Sequence, residues 1–306
     1  MQPFSQIVKW LFAVPQAGRQ RWPAYHVRQR HPKACHPSGD AMQTIEYTLE
    51  DGVATITMNR PEARNALDPR MTEEFDQTLV RIARDDSVCA VVLTGAGGTF
   101  CAGGDVRGMN SEPARTPQDW RAHLRRSHRI VKGLYTLDRP VIAAVDGAAF
   151  GAGFSIALLA DIVLASSRAR FCMAFGRIGL IPDYGAFYTL PRAVGVQRAK
   201  EIIFSAREIG VAEAKDLGMV LEVLAPEALL PRAQALARAL THASPAALAM
   251  TKDALNGSMN GSLDQILELE AAGQGIAGSS PYAKDAFRRF ADKQPGLFQW
   301  PAPAAR

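Results

Sequence analysis

Three short runs constrain the fold more than anything else in the chain: "CAVVLTG" (Cys89–Gly95), "PVIAAVDG" (Pro140–Gly147) and "IVLAS" (Ile162–Ser166). None alternates apolar with polar residues, as a strand with one wet face would. Runs this apolar belong to a sheet covered on both faces. The segments between them read as helices: "WRAHLRRSHRIVKGLYTL" is amphipathic, and "GAGFSIALLAD" is built largely of small residues. Strands alternating with helices imply βαβ units with right-handed crossovers, and so an α/β fold.

The flanks extend the pattern. "TIEYTLEDGVATITMN" reads as two strands around an Asp51-Gly52 turn. Residues 69–84 read as a helix, with Asp68 as N-cap and Pro69 in the first turn. Beyond Pro226 the strand signals stop, and helical stretches follow one another between Pro, Gly and Ser breaks. The predicted organisation is an α/β core over residues 42–225 and a helical part over residues 226–306, with no internal repeat.

Charge separates off the beginning of the chain. Of 35 lysines and arginines, Lys9, Arg19, Arg21, Arg28, Arg30 and Lys33 fall in the first 41 residues, against the single acid Asp40. The remainder holds 29 bases and 29 acids, so the basic excess belongs to this leader. A neutral body argues against nucleic acid as the main partner. The leader fits a transit peptide, an arm touching RNA or membrane, or an upstream extension that does not join the fold. "MQTIEYTLEDGVATITMNRP" at Met42 reads as the start of the domain, and the leader is predicted to be disordered and dispensable. No run reaches the ~18 apolar residues of a membrane span. Cys35, Cys89, Cys101 and Cys172 stand at no metal-ligand spacing, and are expected to be reduced thiols of a cytoplasmic protein.

Two glycine-rich stretches point to chemistry. "GGTFCAGGDVRGM" follows a buried strand, and "VDGAAFGAGFSIALLAD" turns from strand to helix. Small residues let a ligand approach the backbone, and a helix start leaves amides unpaired. Two such places can aim two N–H groups at one oxygen, forming an oxyanion hole. The same glycines would equally serve tight turns and helix–strand packing. Neither stretch fits G-x-G-x-x-G, which argues against a dinucleotide site.

In order and spacing, "NRPEARNALD", "FCAGGD", "VDGAAFGAG", "ADIVLAS", "RIGLIPD" and "LPR" resemble the crotonase superfamily, the enoyl-CoA hydratase/isomerase fold. The resemblance covers residues 42–299. It implies a spiral of ββα units with a helical C-terminal part used in trimerisation, homotrimers or hexamers, and acyl-CoA thioester substrates. It implies no cofactor beyond the CoA that the substrate carries. Matched residue by residue, it assigns the oxyanion amides to Gly104 and Ala152. It places Ala63, Arg64, Ala66, Ala102, Asp105 and Val106 along the CoA path. Hydratases of the family use two glutamates, and their positions are occupied here by Ser155 and Phe175. Both are expected to line the acyl pocket, where neither can activate water.

Asp183 is a lone acid in "MAFGRIGLIPDYGAFY". This stretch is similar to the ring-1,2-epoxyphenylacetyl-CoA isomerase branch, whose catalytic aspartate aligns with Asp183. The sequence departs from the branch at Tyr184, Ala186 and Phe187, where small residues and a glycine pair are usual. Among Phe175, Ile178, Ile181 and Phe187 a carboxylate would be desolvated, which raises its pKa and suits it to proton transfer. The residues alone equally allow a cap for the following helix. His123 and His128 read as part of a solvated, arginine-rich helix face. Three functions remain open at this point: an enoyl-CoA isomerase using Asp183, a hydratase or other crotonase reaction, and a catalytically silent acyl-CoA-binding protein.

Overall fold

The computed structural model describes residues 42–109 and 115–303. The expectations about the leader, residues 1–41, fall outside them.

The chain opens with β1 (Ile45–Glu50) and β2 (Val53–Met58), an antiparallel hairpin. Its turn residues, Asp51 at φ 49° and Gly52 at φ 78°, are both left-handed, as the twist of a two-residue hairpin requires. Helix α1 (Pro69–Ala83) begins where Asp68 accepts the Met71 amide at 2.7 Å. After β3 (Ala90–Gly95) comes α2 (Pro117–Tyr135), started by a reciprocal capping pair, Thr116 and Asp119. Then follow β4 (Val141–Val145), β5 (Ala148–Phe150), the short α3 (Ala152–Ala157), β6 (Ile162–Ser166) and β7 (Arg170–Cys172). Helices α4 (Ala186–Val194) and α5 (Val196–Ser205), strand β8 (Glu208–Gly210), α6 (Val211–Asp216) and β9 (Glu222–Leu224) complete the core.

The main sheet has the order β1-β2-β3-β4-β6-β9 and is parallel beyond the first hairpin. Its centre explains the uninterrupted apolar runs. Along β3, Val91 and Leu93 face one core while Ala90 and Val92 face another. Along β4, Val141, Ala143 and Val145 alternate in the same way with Ile142 and Ala144. One core lies under α1 and α2. The other is sealed by Leu229, Ala233, Leu236, Ala237 and Leu240 of α7 (Pro226–Leu240). A smaller sheet, β5-β7-β8, stands apart from the first. The expected α/β spiral of ββα units is what the chain forms, with a helical C-terminal end.

That end continues as α8 (Pro245–Ser258), α9 (Leu263–Ser279) and α10 (Pro281–Ala291), none of which has a fully buried residue. Among the described residues, no helix is long and apolar enough to cross a membrane.

Candidate active site

The two glycine-rich stretches meet. Main-chain bonds tie them together: Phe100 N to Asp146 O at 2.7 Å, Cys101 N to Ala148 O at 3.0 Å, and Phe150 N to Cys101 O at 2.9 Å. Just beyond this ladder the backbones press closer than side chains allow. A Cβ on Gly103, which has φ 101°, would sit 2.9 Å from Phe150 O, and one on Gly153 would sit 2.3 Å from Cys101 O. Glycine is the residue that permits both approaches.

The neighbouring amides are occupied. Gly103 N donates to Cys101 Sγ at 3.4 Å, Asp105 N to Leu67 O at 3.0 Å, and Gly151 N to Cys172 O at 2.8 Å. Between them, the amides of Gly104 and Ala152 donate to no group among the described residues. Both residues line one cavity of about 790 Å³. Ala102, Asp105, Val106, Phe175 and Asp183 share its wall. Phe175 packs beside the second turn, with its ring edge 3.8 Å from the Cβ that Gly151 lacks.

Four residues expected at the site do not line this cavity. Ser155 is fully buried and does not reach the cavity, because its Oγ points back along α3 to donate to Gly151 O at 3.3 Å. Ala63, Arg64 and Ala66 are also absent from the wall. They sit in a loop pinned by buried Asn65, which accepts Arg60 N at 2.8 Å and donates to Ala96 O and Thr99 O at 2.9 and 2.6 Å. Arg64 O accepts the Ala102 amide at 3.0 Å, which ties this loop to the first glycine segment.

Asp183 is not a helix cap. Its carbonyl accepts Ala186 N at 3.1 Å across a tight turn, with Tyr184 at φ 50° and Gly185 at φ 81°. Gly185 is the N-cap of α4, and no side chain caps that helix. The Asp183 carboxylate instead faces the cavity half-buried, with Oδ1 bonded to nothing among the described residues. Burial pushes its pKa up to about 7, offset a little by its own amide. The other two carboxylates on the wall are engaged. Asp68 holds the Met71 amide and lies 3.3 Å from Arg60 Nη1, while Asp105 pairs with Arg60 Nη2 at 3.2 Å.

Sequence reasoning missed one wall. Trp120, His123, Leu124 and His128 of α2 line the cavity; His128 is exposed, as expected, whereas His123 is half-buried. Their spacing of three, four and eight residues along one helix face was the available signal, masked by the four arginines from Arg121 to Arg129 and by Arg115. Burial, together with the Arg115 and Arg126 charges, lowers the His123 pKa.

Chemically, two unengaged amides can hold an oxygen that becomes negative, and a carboxylate poised near neutrality can take and return a proton.

The sequence pattern of the family described as enoyl-CoA hydratase/isomerase matches residues 48–300. A 1,2-epoxyphenylacetyl-CoA isomerase of Escherichia coli is 37% identical over 258 residues, covering 84% of this chain and 98% of that protein. A short-chain-enoyl-CoA hydratase of Clostridium acetobutylicum is 36% identical over 254 residues, covering 83% and 96% respectively. A crystal structure of an enoyl-CoA hydratase/isomerase from Cupriavidus metallidurans superposes with a TM-score of 0.83 at 42% identity, over 87% of this chain and all of that one. Matched by this pattern over most of its length and similar along that same length to an isomerase and a hydratase, the chain belongs to the enoyl-CoA hydratase/isomerase family.

Proposed function

We propose that the protein is an acyl-CoA isomerase that moves a double bond along an enoyl-CoA thioester, with Asp183 as the proton shuttle. The thioester oxygen sits between the Gly104 and Ala152 amides. The Asp183 carboxylate removes a proton from C2 of a 3-enoyl chain. The electron pair spreads into a dienolate whose oxygen charge the two amides hold, each worth roughly 3–4 kcal/mol in the transition state. Protonated Asp183 then returns the proton to C4, and the double bond comes to lie between C2 and C3. No water enters and no second acid is needed. The reading requires no cofactor besides the CoA of the substrate.

One observation carries this reading: among the described residues Asp183 is the cavity carboxylate with a buried, unengaged oxygen, while Asp68 and Asp105 are held by Arg60 and backbone amides. Similarity to the 1,2-epoxyphenylacetyl-CoA isomerase supports it. Hydration fits less well, because Ser155 is turned into α3 and Phe175 carries no proton. Under this reading residues 42–225 carry the site, and residues 226–306 join chains into a homotrimer or hexamer.

The test is the absorbance of the conjugated thioester. Incubation with 3-enoyl-CoA should raise it. A fall with 2-enoyl-CoA, and no rise with the first substrate, would establish hydration instead. No change with a panel of either class would leave a silent acyl-CoA binder.

A further inference from the structure

We propose that the Tyr184 ring closes the acyl end of the cavity and restricts the protein to compact acyl groups, an inference that rests on the acyl-CoA reading above. The argument begins with an unfavourable backbone. Tyr184 and Gly185 are the two central residues of the turn closed by Asp183 O and Ala186 N, and both have positive φ. Glycine and asparagine adopt this conformation readily, and a bulky aromatic residue there is an outlier. The turn alone would be better served by glycine at position 184. What sets tyrosine apart is therefore its side chain.

That side chain is fully committed. Tyr184 lines the cavity yet is only 4% exposed, so its ring is embedded in the wall. Its hydroxyl lies near Thr72 of α1 and Ser127 of α2, both of which bear on its pKa. Both of these already donate one turn back along their helices, Thr72 to Asp68 O at 2.8 Å and Ser127 to His123 O at 3.4 Å. The single phenol proton can go to only one of these oxygens. The ring thus spans from the turn to the seam between α1 and α2. Behind Gly185 the seam is already filled, because a Cβ there would meet Val131 of α2 at 3.2 Å.

Chain order places this wall relative to substrate. A carboxylate that moves a proton from C2 to C4 lies over those carbons. The adjoining residue on the same wall then faces the chain from C4 outward. Leu124 and His128 of α2 and Phe175 border the same space.

Tyr184→Gly and Tyr184→Asn both suit the positive φ and remove the ring, so one can stand in if the other fails to fold. Calorimetry with butanoyl-CoA and decanoyl-CoA, saturated thioesters that cannot isomerise, reads the chamber without relying on Asp183. The variants should shift the affinity ratio towards decanoyl-CoA by about tenfold or more, since a single methylene in an apolar pocket is worth at least that. The kcat/KM ratio for 3-enoyl thioesters of the two lengths should move the same way. A binding ratio within twofold of the native protein in the folded variants would overturn the proposal. Normal turnover in Asp183→Asn would instead overturn Asp183 as the proton shuttle, and the calorimetric ratio would still decide the role of Tyr184.

Discussion

The Glu74 carboxylate of α1 fastens Thr44 at the entrance to β1: Oε2 accepts the Thr44 amide at 2.8 Å and its hydroxyl at 2.7 Å. The Gln43 and Ile45 amides converge on the same group. Burial alone would raise its pKa, but hydrogen bonds from Arg70, Thr44 and the Gln43 amide outweigh that and lower it to about 2.

Glu74→Gln should therefore lose about 2 kcal/mol of stability at neutral pH, the scale of hydrogen bonds to a charged group. The folded pKa lies below the ordinary value, so the contribution is complete above 4.5 and is lost as the pH falls towards about 2. Urea titrations of both proteins from pH 3 to 7 should show the gap between them shrinking on the acid side.

Asp183→Asn should reduce isomerisation by about 10²–10⁴, the usual share of a general base. Acyl-CoA affinity should hold. In the native protein the base works only when ionised, so turnover should climb with pH through about 7. A pH–rate profile and calorimetry on the folded variant check both points.

The same substitution should stabilise the fold. The carboxylate titrates at about 7 in the folded chain against 3.8 ordinarily, so its burial weakens the native protein increasingly as the pH rises between those values. Asparagine does not ionise. Its thermal midpoint should exceed the native one by about 2–4 °C above pH 7, and the advantage should vanish below pH 4. Scanning calorimetry at three pH values reads this directly.

Gly153→Ala puts a methyl group 2.3 Å from Cys101 O and 2.8 Å from Cys101 Cβ. No flexible side chain is there to yield. Overpacking of this kind costs about 1–3 kcal/mol. The displaced Ala152 amide should also lower kcat by about 10–100-fold, with KM changed little. Denaturation and steady-state kinetics on the same sample separate the two effects.

Helices α8 to α10 leave Leu255, Met259, Leu263, Ile276, Phe287 and Phe290 at least half exposed. So much apolar surface on one end calls for a partner. Light scattering should give a mass of three or six chains, and Phe287→Glu with Phe290→Glu should yield smaller species.

The order of strands and helices was legible because the central strands are apolar on both faces, and Asp68, Pro69 and Pro226 mark helix boundaries in plain sight. The strands β5, β7 and β8 were not, since three residues are too few to show a period. At the site, the two amide-bearing segments and Asp183 could be found from their motifs. Ser155 could not be placed, because one turn of helix decides whether its hydroxyl faces the cavity or the Gly151 carbonyl. The turn at Tyr184 was equally hidden, as nothing local advertises a tyrosine in a left-handed conformation. The half-buried place of His123 was hidden because its arginine-rich surroundings resemble a wet surface.

The ladder joining Phe100 and Cys101 to the segment from Asp146 to Phe150 consists of main-chain bonds alone. Side chains along it can drift over generations without altering the spacing of the Gly104 and Ala152 amides, provided glycine persists at the two closest approaches. Under the proposed mechanism, the anion-holding half of the chemistry is inherited with the backbone, while the proton-carrying half hangs on a single replaceable residue. Duplicated copies of such a gene could acquire new reactions by moving one acid around a cradle that none of them has to reinvent.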